Sequence, residues 1–543
     1  MLQSAFRGFA QIAMAAVFAL ACVMSAHAQG GQTTGGVRGI VTDPNGAVVP
    51  GARVTISSET LNYRNDTTTT SEGEYEFRDV LPGEYQINIE AANFKTLTLS
   101  DVRVQLSQIT SVPAQLQIGV ATETVTVSAG GAELVETTTP QLSRSFNERQ
   151  VVELAQTNVG GAFGGGVNNL ALIAANVTSS GGVGVGTGGS VGGQRPRNNN
   201  FMLDGIDNND KSVTGPQSYV SPENVAEFTL VQNQFSAEFA RSNGGQFLTV
   251  TKSGTNEYHG SFYGFIRNRF LNALDTLQKN AGITRNRSDG DLFMPRFDFF
   301  RGGVNIGGPL HLPRFGEGGP AYISGKDRLF FYAAYERLQQ GAAASAGNIT
   351  TPTAAGFAAI NSLAAGANGV STTNRSVFNT FVPVAPTQTD TLFVCSVRPT
   401  AGTGACPGAL IAVPVGDIAF PAPNFLNQNN VVANVDYNQS NKTTHRFRFN
   451  LTNFSTINTA ANLPVFFSTV PGKQRLFSYS LFHTFTSNLS NETRIAIRRS
   501  ENSFPVGSET FPGLDTFPNI GLGDLGLDIG PDPNSPQTGI ENN

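Results

Sequence analysis

Carboxylates at a regular spacing are the first residues in this sequence that could do chemistry. Asp204, Asp207 and Asp210 recur at every third position, and carboxylate oxygens are ligands that Ca²⁺ prefers. A calcium loop of the EF-hand type also needs a closing Glu, which this segment lacks. We therefore expect a strand over 201–203 that ends in an Asp-Gly turn at Gly205, where Asp side chains cap backbone amides.

A group of glycines matches the sequence pattern of a dinucleotide-binding loop. Gly184, Gly186 and Gly189 satisfy the pattern G-x-G-x-x-G, which cradles phosphates where it opens a helix. Residues 190–200 contain glycine, proline and three asparagines, which do not propagate a helix. The glycine-dense segment 181–193 is therefore predicted to be a flexible loop.

Histidines could carry acid–base or metal chemistry. His259, His311, His445 and His483 are scattered, without partners at metal-ligand spacing. Glu257 and His259 would share one face of a predicted strand and could form a catalytic dyad, but a polar pair facing a barrel lumen is favoured. The sequence also lacks a G-x-S-x-G elbow and a P-loop. We therefore predict no enzyme activity, no metal site and no cofactor.

Two cysteines lie close together in a segment rich in Gly, Pro and Thr. Cys395 and Cys406 are separated by ten residues, which favours one local disulfide that pins a loop in an oxidising compartment. Two unpaired thiols are the alternative.

The N-terminus has the pattern of an export signal over residues 1–28. Arg7 and the free amine precede the apolar run Phe9–Val23, and small residues before the expected cleavage point end at Ala28. Lipidation at Cys22 is the alternative, although the usual Leu is displaced by one position. Both interpretations predict an exported protein.

Composition excludes several classes of protein. Charged residues make up 14% of the chain, against roughly 25% in soluble domains. The net charge of −5 argues against nucleic acid as a partner. No apolar run long enough for a helical membrane span follows the N-terminus. A weakly charged chain with 60 Gly and 39 Phe is typical of a secreted or outer-membrane β-protein.

The first folded unit is predicted over 29–118. Short strand-like runs alternate with Gly and Pro turns such as Asp43–Gly46, as in a β-sandwich. The unit resembles the carboxypeptidase regulatory-like domain in four motifs: Gly36–Asp43, Val49–Ala52, Gly73–Phe77 and Leu81–Tyr85. That resemblance implies a transthyretin-like, carbohydrate-binding-like fold without a carboxypeptidase site.

A short extended segment over 119–131 follows. It contains alternating Thr and Val residues and is similar to the TonB box of TonB-dependent outer-membrane receptors in Glu123, Thr124, Val125, Thr126, Val127, Ser128 and Ala129. A free strand can add to the sheet edge of a partner. The alternative is that the segment is the last strand of the preceding sandwich; its place between two domains favours the box.

Residues 132–253 are predicted to be a mixed α+β plug, with a helix over 147–155 that Asn147 caps. Three blocks resemble the plug and the passage from plug to barrel in Oar-like TonB-dependent transporters: Arg195–Asp210, Ser236–Gly245 and Val250–Gly260. The resemblance assigns five residues to a plug motif: Arg195, Asp204, Gly205, Asp207 and Asp210.

From residue 254 to 543 the pattern changes to two-residue alternation. Arg446, Arg448 and Asn450 alternate with Phe447 and Phe449, and the same holds in runs near 329–335, 431–438 and 477–486. Such strands run about 9–11 residues across a membrane, with the apolar face toward lipid. A soluble sandwich also alternates, but aromatic apolar faces, arginines on the opposite face and the export signal favour a barrel. Residues 342–373 and 383–423 are expected to be long external loops.

The number of strands is too small for a complete family member. We count roughly 8–12 strand-like runs after Asn256 by alternation, whereas transporters of this class close about 22 strands. Residues 518–543 contain no strand that ends in an aromatic residue. We therefore expect the sequence to be C-terminally incomplete.

The predicted fold class is mainly β: an N-terminal transthyretin-like or carbohydrate-binding-like β-sandwich, an α+β plug, and the N-terminal part of an antiparallel transmembrane β-barrel. The resemblance implies a TonB-dependent receptor in the cell outer membrane for energised uptake, or export, of a large ligand. Its partners would be a TonB-type periplasmic energy transducer, outer-membrane lipid and an extracellular siderophore, glycan or peptide. A secreted carbohydrate-binding or adhesin-type surface protein is the alternative.

Overall fold

The computed structural model describes most of the chain after the predicted signal peptide. The described residues are 33–59, 61, 63–120, 124–128, 142–154, 166–178, 189–210, 215–233, 239, 242–271, 273–274, 276–280, 282–284, 292–293, 296–313, 322–343, 347–364, 371–397, 406–420, 423–486, 489–503, 505, 509–515, 517–522, 525–532 and 540–542. The predicted signal peptide with Cys22, the residues Glu123 and Ala129 of the box-like segment, and Gly184 and Gly186 lie outside them.

The N-terminal unit, here called the sandwich, consists of two facing sheets. Its strands are β1 (Gly35–Thr42), β2 (Arg53–Ser58), β3 (Tyr63–Thr68), β4 (Glu74–Val80), β5 (Gly83–Glu90), β6 (Thr96–Val104), β7 (Ile109–Ser111), β8 (Ala114–Gln115) and β9 (Thr124–Ser128). One sheet has the order β4-β1-β7 with β8 also on β1, and the other has the order β3-β2-β5-β6-β9. Alternate apolar residues such as Val54, Ile56 and Ile87 meet in a shared core. The predicted sandwich and its Asp43–Gly46 turn, closed by a bond from the Gly46 amide to the Asp43 carbonyl, are confirmed.

The next unit, here called the plug, is built on a five-stranded sheet of order β10-β15-β16-β13-β14. Its elements are β10 (Leu142–Asn147), α1 (Glu148–Leu154), β11 (Val177–Thr178), β12 (Ser190–Val191), β13 (Asn200–Leu203), β14 (Ile206–Asp207), β15 (Val225–Asn233) and β16 (Gln246–Thr251), with 3-10 helices at Gly166–Ile173, Pro196–Asn198 and Pro222–Asn224. The predicted helix is confirmed: the Asn147 side chain accepts from the Gln150 amide at 2.9 Å. The stacked rings of Phe146 and Phe228 lie in the core of the plug.

The remaining chain forms an antiparallel sheet of eight strands, here called the wall sheet. In spatial order its strands are β17 (His259–Asn268), β20 (Phe297–Pro309), β23 (Leu329–Ala343), β27 (Pro423–Ser440), β28 (Thr443–Asn458), β29 (Ser468–Thr486), β30 (Leu489–Ser503) and β33 (Ile540–Asn542). Most are longer than the predicted 9–11 residues, β29 reaching 19, so they continue past the thickness of a bilayer. Among the described residues β17 and β33 do not pair, and the sheet stays open.

The connections between these strands carry smaller elements. They are the 3-10 helix Arg269–Leu271, α2 (Thr276–Asn280), β18 (Ile283–Thr284), β19 (Leu292–Phe293), β21 (Leu312–Pro313), β22 (Tyr322–Ile323), β24 (Gly347–Pro352), α3 (Ala354–Asn361), α4 (Thr372–Phe381), β25 (Asp390–Cys395), β26 (Leu410–Phe420), the 3-10 helix Pro464–Phe466, β31 (Ile520–Leu522) and β32 (Leu527–Ile529). None of the described helices has the length and apolar character needed to cross a bilayer.

The long connections over 342–373 and 383–423 are more ordered than predicted. They contain α3, the first two residues of α4 and the three-stranded sheet β24-β26-β25. Phe378 and Phe381 of α4, which lies between the two stretches, pack against Phe466 and Phe517 from two later connections. These stretches lie mostly in the connection between β23 and β27, and their position outside the membrane stays a prediction. Apolar residues from several connections together supply a core that no single segment contains.

In the wall sheet the burial of side chains is the reverse of that in a soluble protein: polar side chains are buried and apolar ones are exposed. On β28 the side chains of Arg446, Arg448 and Asn450 are buried, whereas Phe447 is 39% exposed. The same inversion on β30 leaves Ile495 and Ile497 exposed. The buried polar face lies against the plug, and the apolar face is left outward, as expected for a wall that faces lipid. The predicted lipid-facing and lumen-facing pattern is therefore confirmed.

Candidate functional site

The box-like segment is an edge strand of the sandwich. Strand β9 pairs in parallel with β6, with Thr98 opposite Thr126 and Leu97 opposite Val125. The Val125 side chain packs against the sandwich core, and the Ser128 hydroxyl donates to Asp101 Oδ2 at 2.7 Å. The prediction of a free strand was wrong, because β6 offered an open sheet edge. Its role as a TonB box stays a prediction.

The sandwich is joined to the plug at the turn that follows β6. Leu106 is fully buried among plug side chains that include Met202, Val231 and Leu248. The Leu106 amide donates to Glu227 Oε1 at 2.7 Å. Burial raises the pKa of Glu227, and the amide of Leu106 opposes that rise because it favours the carboxylate. The turn therefore fixes the sandwich to the plug through both apolar and polar contacts.

Two aspartates of the predicted plug motif accept hydrogen bonds from backbone amides. Asp204 and Gly205 both have positive φ, of 49° and 75°, and form the tight turn between β13 and β14. The Asp204 carboxylate accepts from the Thr251 amide at 2.9 Å, and Asp207 Oδ1 accepts from the Asn209 amide at 3.0 Å. The preferred prediction of a strand ended by a capped turn is confirmed.

The other motif residues lie nearby without forming one cluster. The Asp210 amide donates to the Gly215 carbonyl at 2.8 Å, and the carbonyl of the exposed Arg195 accepts from Asn198 at 2.8 Å. Within the described ranges, no group of three or more His, Cys, Asp or Glu residues is placed to hold a metal. The motif therefore shapes the plug backbone.

Two arginines of the wall hold the Asp-Gly turn of the plug. Arg494 Nη1 donates to the Gly205 carbonyl at 3.0 Å. Arg498 Nη1 donates to the carbonyls of Asp207 and Asn209 at 3.0 and 2.9 Å. Both arginines lie on β30, so the motif marks the place where the plug is attached to the wall.

A second attachment is a buried charge cluster between the plug and the wall. Arg301 Nη2 lies 2.5 Å from Glu223 Oε1 of the plug and Arg301 Nε lies 3.8 Å from Glu336 Oε2 of the wall. Tyr263 donates to Glu336 at 3.0 Å, and the Ser221 hydroxyl contacts both carboxylates. One guanidinium thus faces two carboxylates in a site closed to solvent, which we call the Arg301 cluster.

Another ion pair lies farther along the wall. Arg448 Nη1 lies 2.6 Å from Asp436 Oδ1, and Arg448 Nη2 donates to the Ser253 hydroxyl of the plug-to-wall passage at 3.1 Å. The side-chain Nδ2 of Asn434 donates to the Lys252 carbonyl at 2.7 Å. The polar face of the wall therefore holds the plug through several separate attachments.

The remaining candidate residues lie elsewhere. Cys395 and Cys406 form a disulfide between the end of β25 and the segment before β26, with a Cα–Cα distance of 5.5 Å. Glu257 precedes β17 instead of lying in the strand, and only its backbone carbonyl contacts the His259 ring, 3.0 Å from Nδ1. His445 and His483 contact Tyr479 and Thr443. Among the described residues these side chains form no catalytic arrangement with one another.

Sequence reasoning missed the residues that attach the plug. Inward-facing charges on alternating strands were a usable signal for Arg301 and Glu336, because a charge on that face needs a partner. Leu106 and Glu227 had no such signal: a leucine after a strand and a glutamate in an apolar run do not reveal that they meet.

Comparison with known proteins agrees with this architecture. Residues 250–542 match the family described as outer membrane beta barrel domain, and residues 36–117 match the carboxypeptidase regulatory-like domain. The chain is 25% identical over 295 residues to the TonB-dependent transporter Oar of Myxococcus xanthus. That match covers 53% of this chain and 25% of the relative, so the chain spans about a quarter of the relative's length.

Two solved structures are also similar. The outer membrane transporter YddB from Escherichia coli has 12% identity and a TM-score of 0.37, over 66% of this chain and 39% of that chain. The ferric enterobactin receptor PfeA from Pseudomonas aeruginosa, a mutant in complex with enterobactin, has 11% identity and a TM-score of 0.38, over 74% and 44%.

Proposed function

The chain belongs to the outer membrane β-barrel family, and we propose that it is part of a TonB-dependent receptor that moves a large ligand across the outer membrane. One observation carries this proposal: a folded plug is bound to the polar face of a wall whose apolar face is left outward. A plug held against the inner face of the wall would block the passage that a closed barrel encloses, so transport would require the plug to move. Energy for that movement must come from a partner on the periplasmic side.

We propose that Thr124–Ser128 receives that energy from a TonB-type transducer. An extended strand offers main-chain hydrogen bonds to a partner strand, and β9 is such a strand at a sheet edge. The ligand class stays open among siderophores, glycans and peptides. The outward apolar face of the wall sheet does not favour the alternative of a secreted adhesin, which would have to cover that face.

The test is replacement of residues 124–128 by five alternating Gly and Ser residues, which keeps the length of the connection. Uptake of fluorescent siderophore, glycan and peptide panels is first measured in cells that carry the wild-type protein. The replacement should abolish uptake of whichever panel is transported while binding to the cell surface persists. Equal uptake by wild type and replacement would reject Thr124–Ser128 as the energy input. Replacement of the stretch 43–47, in which 44–47 are exposed, by Gly and Ser is the matched control and should leave uptake unchanged.

A further inference from the structure

The oxygen atoms of the Arg301 cluster make more close contacts than their hydroxyl hydrogens can bridge. Ser221 Oγ lies 2.7 Å from Glu223 Oε2 and also contacts Glu336 Oε2, and the Tyr263 hydroxyl lies 3.0 Å from that same Glu336 oxygen. A serine or tyrosine hydroxyl supplies one hydrogen, and an ionised carboxylate supplies none. Two hydrogens cannot bridge these three contacts, so one further proton is needed.

The charges of the cluster lead to the same number of protons. Arg301 Nη2 lies 2.5 Å from Glu223 Oε1, whereas Arg301 Nε lies 3.8 Å from Glu336 Oε2, which is beyond hydrogen-bond distance. The guanidinium therefore forms a close ion pair with one carboxyl group only. The side chain of Glu336 is 0% exposed, and a second buried carboxylate without its own hydrogen-bonded cation is costly.

The other described groups that face the two carboxyl groups are neutral. Tyr219 of the plug and Tyr332 of the wall interact with the cluster, and phenols ionise only near pH 10. The Asn430 side chain donates to the wall carboxyl group at 3.2 Å. Glu148, which lies beyond Tyr332, is paired with Lys252 at 2.7 Å. These neighbours supply hydrogen bonds to the cluster without changing its charge.

We propose that the Arg301 cluster binds one proton, which Glu223 of the plug and Glu336 of the wall share through the Ser221 hydroxyl. The proton belongs to the pair of carboxyl groups, because two carboxyl groups that share a buried site do not ionise independently. With this proton, the site holds one positive and one negative charge, and each of the three oxygen contacts has its hydrogen. The site takes residues from both units, so it exists only while the plug is seated in the wall.

A shared proton makes the seating of the plug depend on pH. When the plug leaves, both carboxyl groups reach water, where glutamate has a pKa of about 4.3. The carboxyl O–H bond then breaks, a carboxylate forms and the proton passes to water. Above that pKa the seated state binds one proton more than the released state, so seating weakens about tenfold for each unit that the pH rises. This inference goes beyond the proposed function, because it involves neither the ligand nor the transducer.

The first test is infrared spectroscopy of the full chain in lipid nanodiscs at pH 7. Glu336→Gln and Glu223→Gln each imitate a neutral carboxyl group, because an amide both donates and accepts, but neither can titrate. Asp436→Asn is the matched control, since Asp436 is a buried carboxylate that lies 2.6 Å from its own guanidinium, that of Arg448.

The spectrum of the wild type minus that of each glutamine variant should contain the band of a protonated carboxyl group, which shifts in D2O. The spectrum of the wild type minus that of the control should not contain it. Absence of this band from the difference spectrum of either glutamine variant would overturn the inference, because the proton would then not be shared by the pair.

The second test is hydrogen exchange of the Asn224 amide, which donates to the Ser221 carbonyl at 2.9 Å and so reports release of this part of the plug. After correction for the intrinsic exchange rate, protection in the wild type should fall about tenfold per pH unit between pH 5 and pH 7 relative to Glu336→Gln. Glu223→Gln gives a second comparison with the same expected slope. Equal pH dependence in the wild type and in either variant would overturn the inference.

Discussion

Replacing Arg301 by methionine tests whether buried charge holds the plug in the wall. The side chains of Arg301, Glu223 and Glu336 are 5%, 7% and 0% exposed. Methionine preserves much of the side-chain volume but removes the cation that both carboxylates face. Removing one partner of a buried ion pair costs about 3–5 kcal/mol. Because two carboxylates share this guanidinium, we expect a value of about 4–5 kcal/mol, at the upper end of that range.

Hydrogen exchange of the plug amides near Glu223 is the assay, in the full chain in nanodiscs. A loss of about 4 kcal/mol in local stability corresponds to a fall in protection of roughly a thousandfold. Arg475→Met is the control, because Arg475 pairs with Glu501 at a site that is 35% exposed; it should cost about 1 kcal/mol or less. Adding Glu223→Gln to Arg301→Met should restore part of the protection. A loss for Arg301→Met no larger than that of the control would show that the Arg301 cluster does not hold the plug.

Two further predictions concern the sandwich. Leu106→Ala should weaken its attachment to the plug by about 3 kcal/mol, seen as faster exchange in both β7 and β15; unchanged exchange would contradict the proposed anchor. Hydrogen bonds from the hydroxyls of Ser128 and, to a smaller extent, Ser100 lower the pKa of Asp101. The Asp101 carboxylate therefore stabilises the docking of β9 onto β6 at pH values above the ordinary aspartate pKa. This stabilisation is lost as the pH falls through the lowered pKa. A spin label at Thr126→Cys should therefore become more mobile near pH 3 than at pH 7, and Asp101→Asn, which tolerates the positive φ of 60°, should remove this pH dependence. An equal change in label mobility between pH 3 and pH 7 with and without the Asp101→Asn substitution would contradict this role of the Asp101 carboxylate.

The sequence alone predicts features that one segment determines. The alternation of Arg446, Phe447 and Arg448 specifies which face of β28 is polar, and Asn147 marks the start of α1 because its side chain satisfies a free amide. The Asp-Gly pair at 204–205 predicts a turn for the same local reason. In each of these three cases, residues that are adjacent in the sequence are sufficient to determine the local structure.

Features that depend on distant residues were missed. That Thr124–Ser128 is the last strand of the sandwich was the alternative to a free strand, and only the fold reveals that β6 has an edge for it. Glu223 and Glu336 meet at Arg301 although they come from separate units. The ordered connections depend on Phe378, Phe466 and Phe517, which pack together across a wide sequence separation. Contacts between residues so far apart in the sequence depend on how the strands assemble into sheets, which no single segment determines.

The architecture requires the apolar face of the wall sheet to touch lipid while its polar face holds the plug. The chain contains no Trp, so single substitutions give a fluorescence signal without background. Phe447 and Phe477 are 39% and 44% exposed on the outer face, and Phe482 is buried on the inner face against Arg446. In bilayers of brominated lipid, Phe447→Trp and Phe477→Trp should be strongly quenched and Phe482→Trp should not. Equal quenching at all three positions, or none at any, would contradict the account.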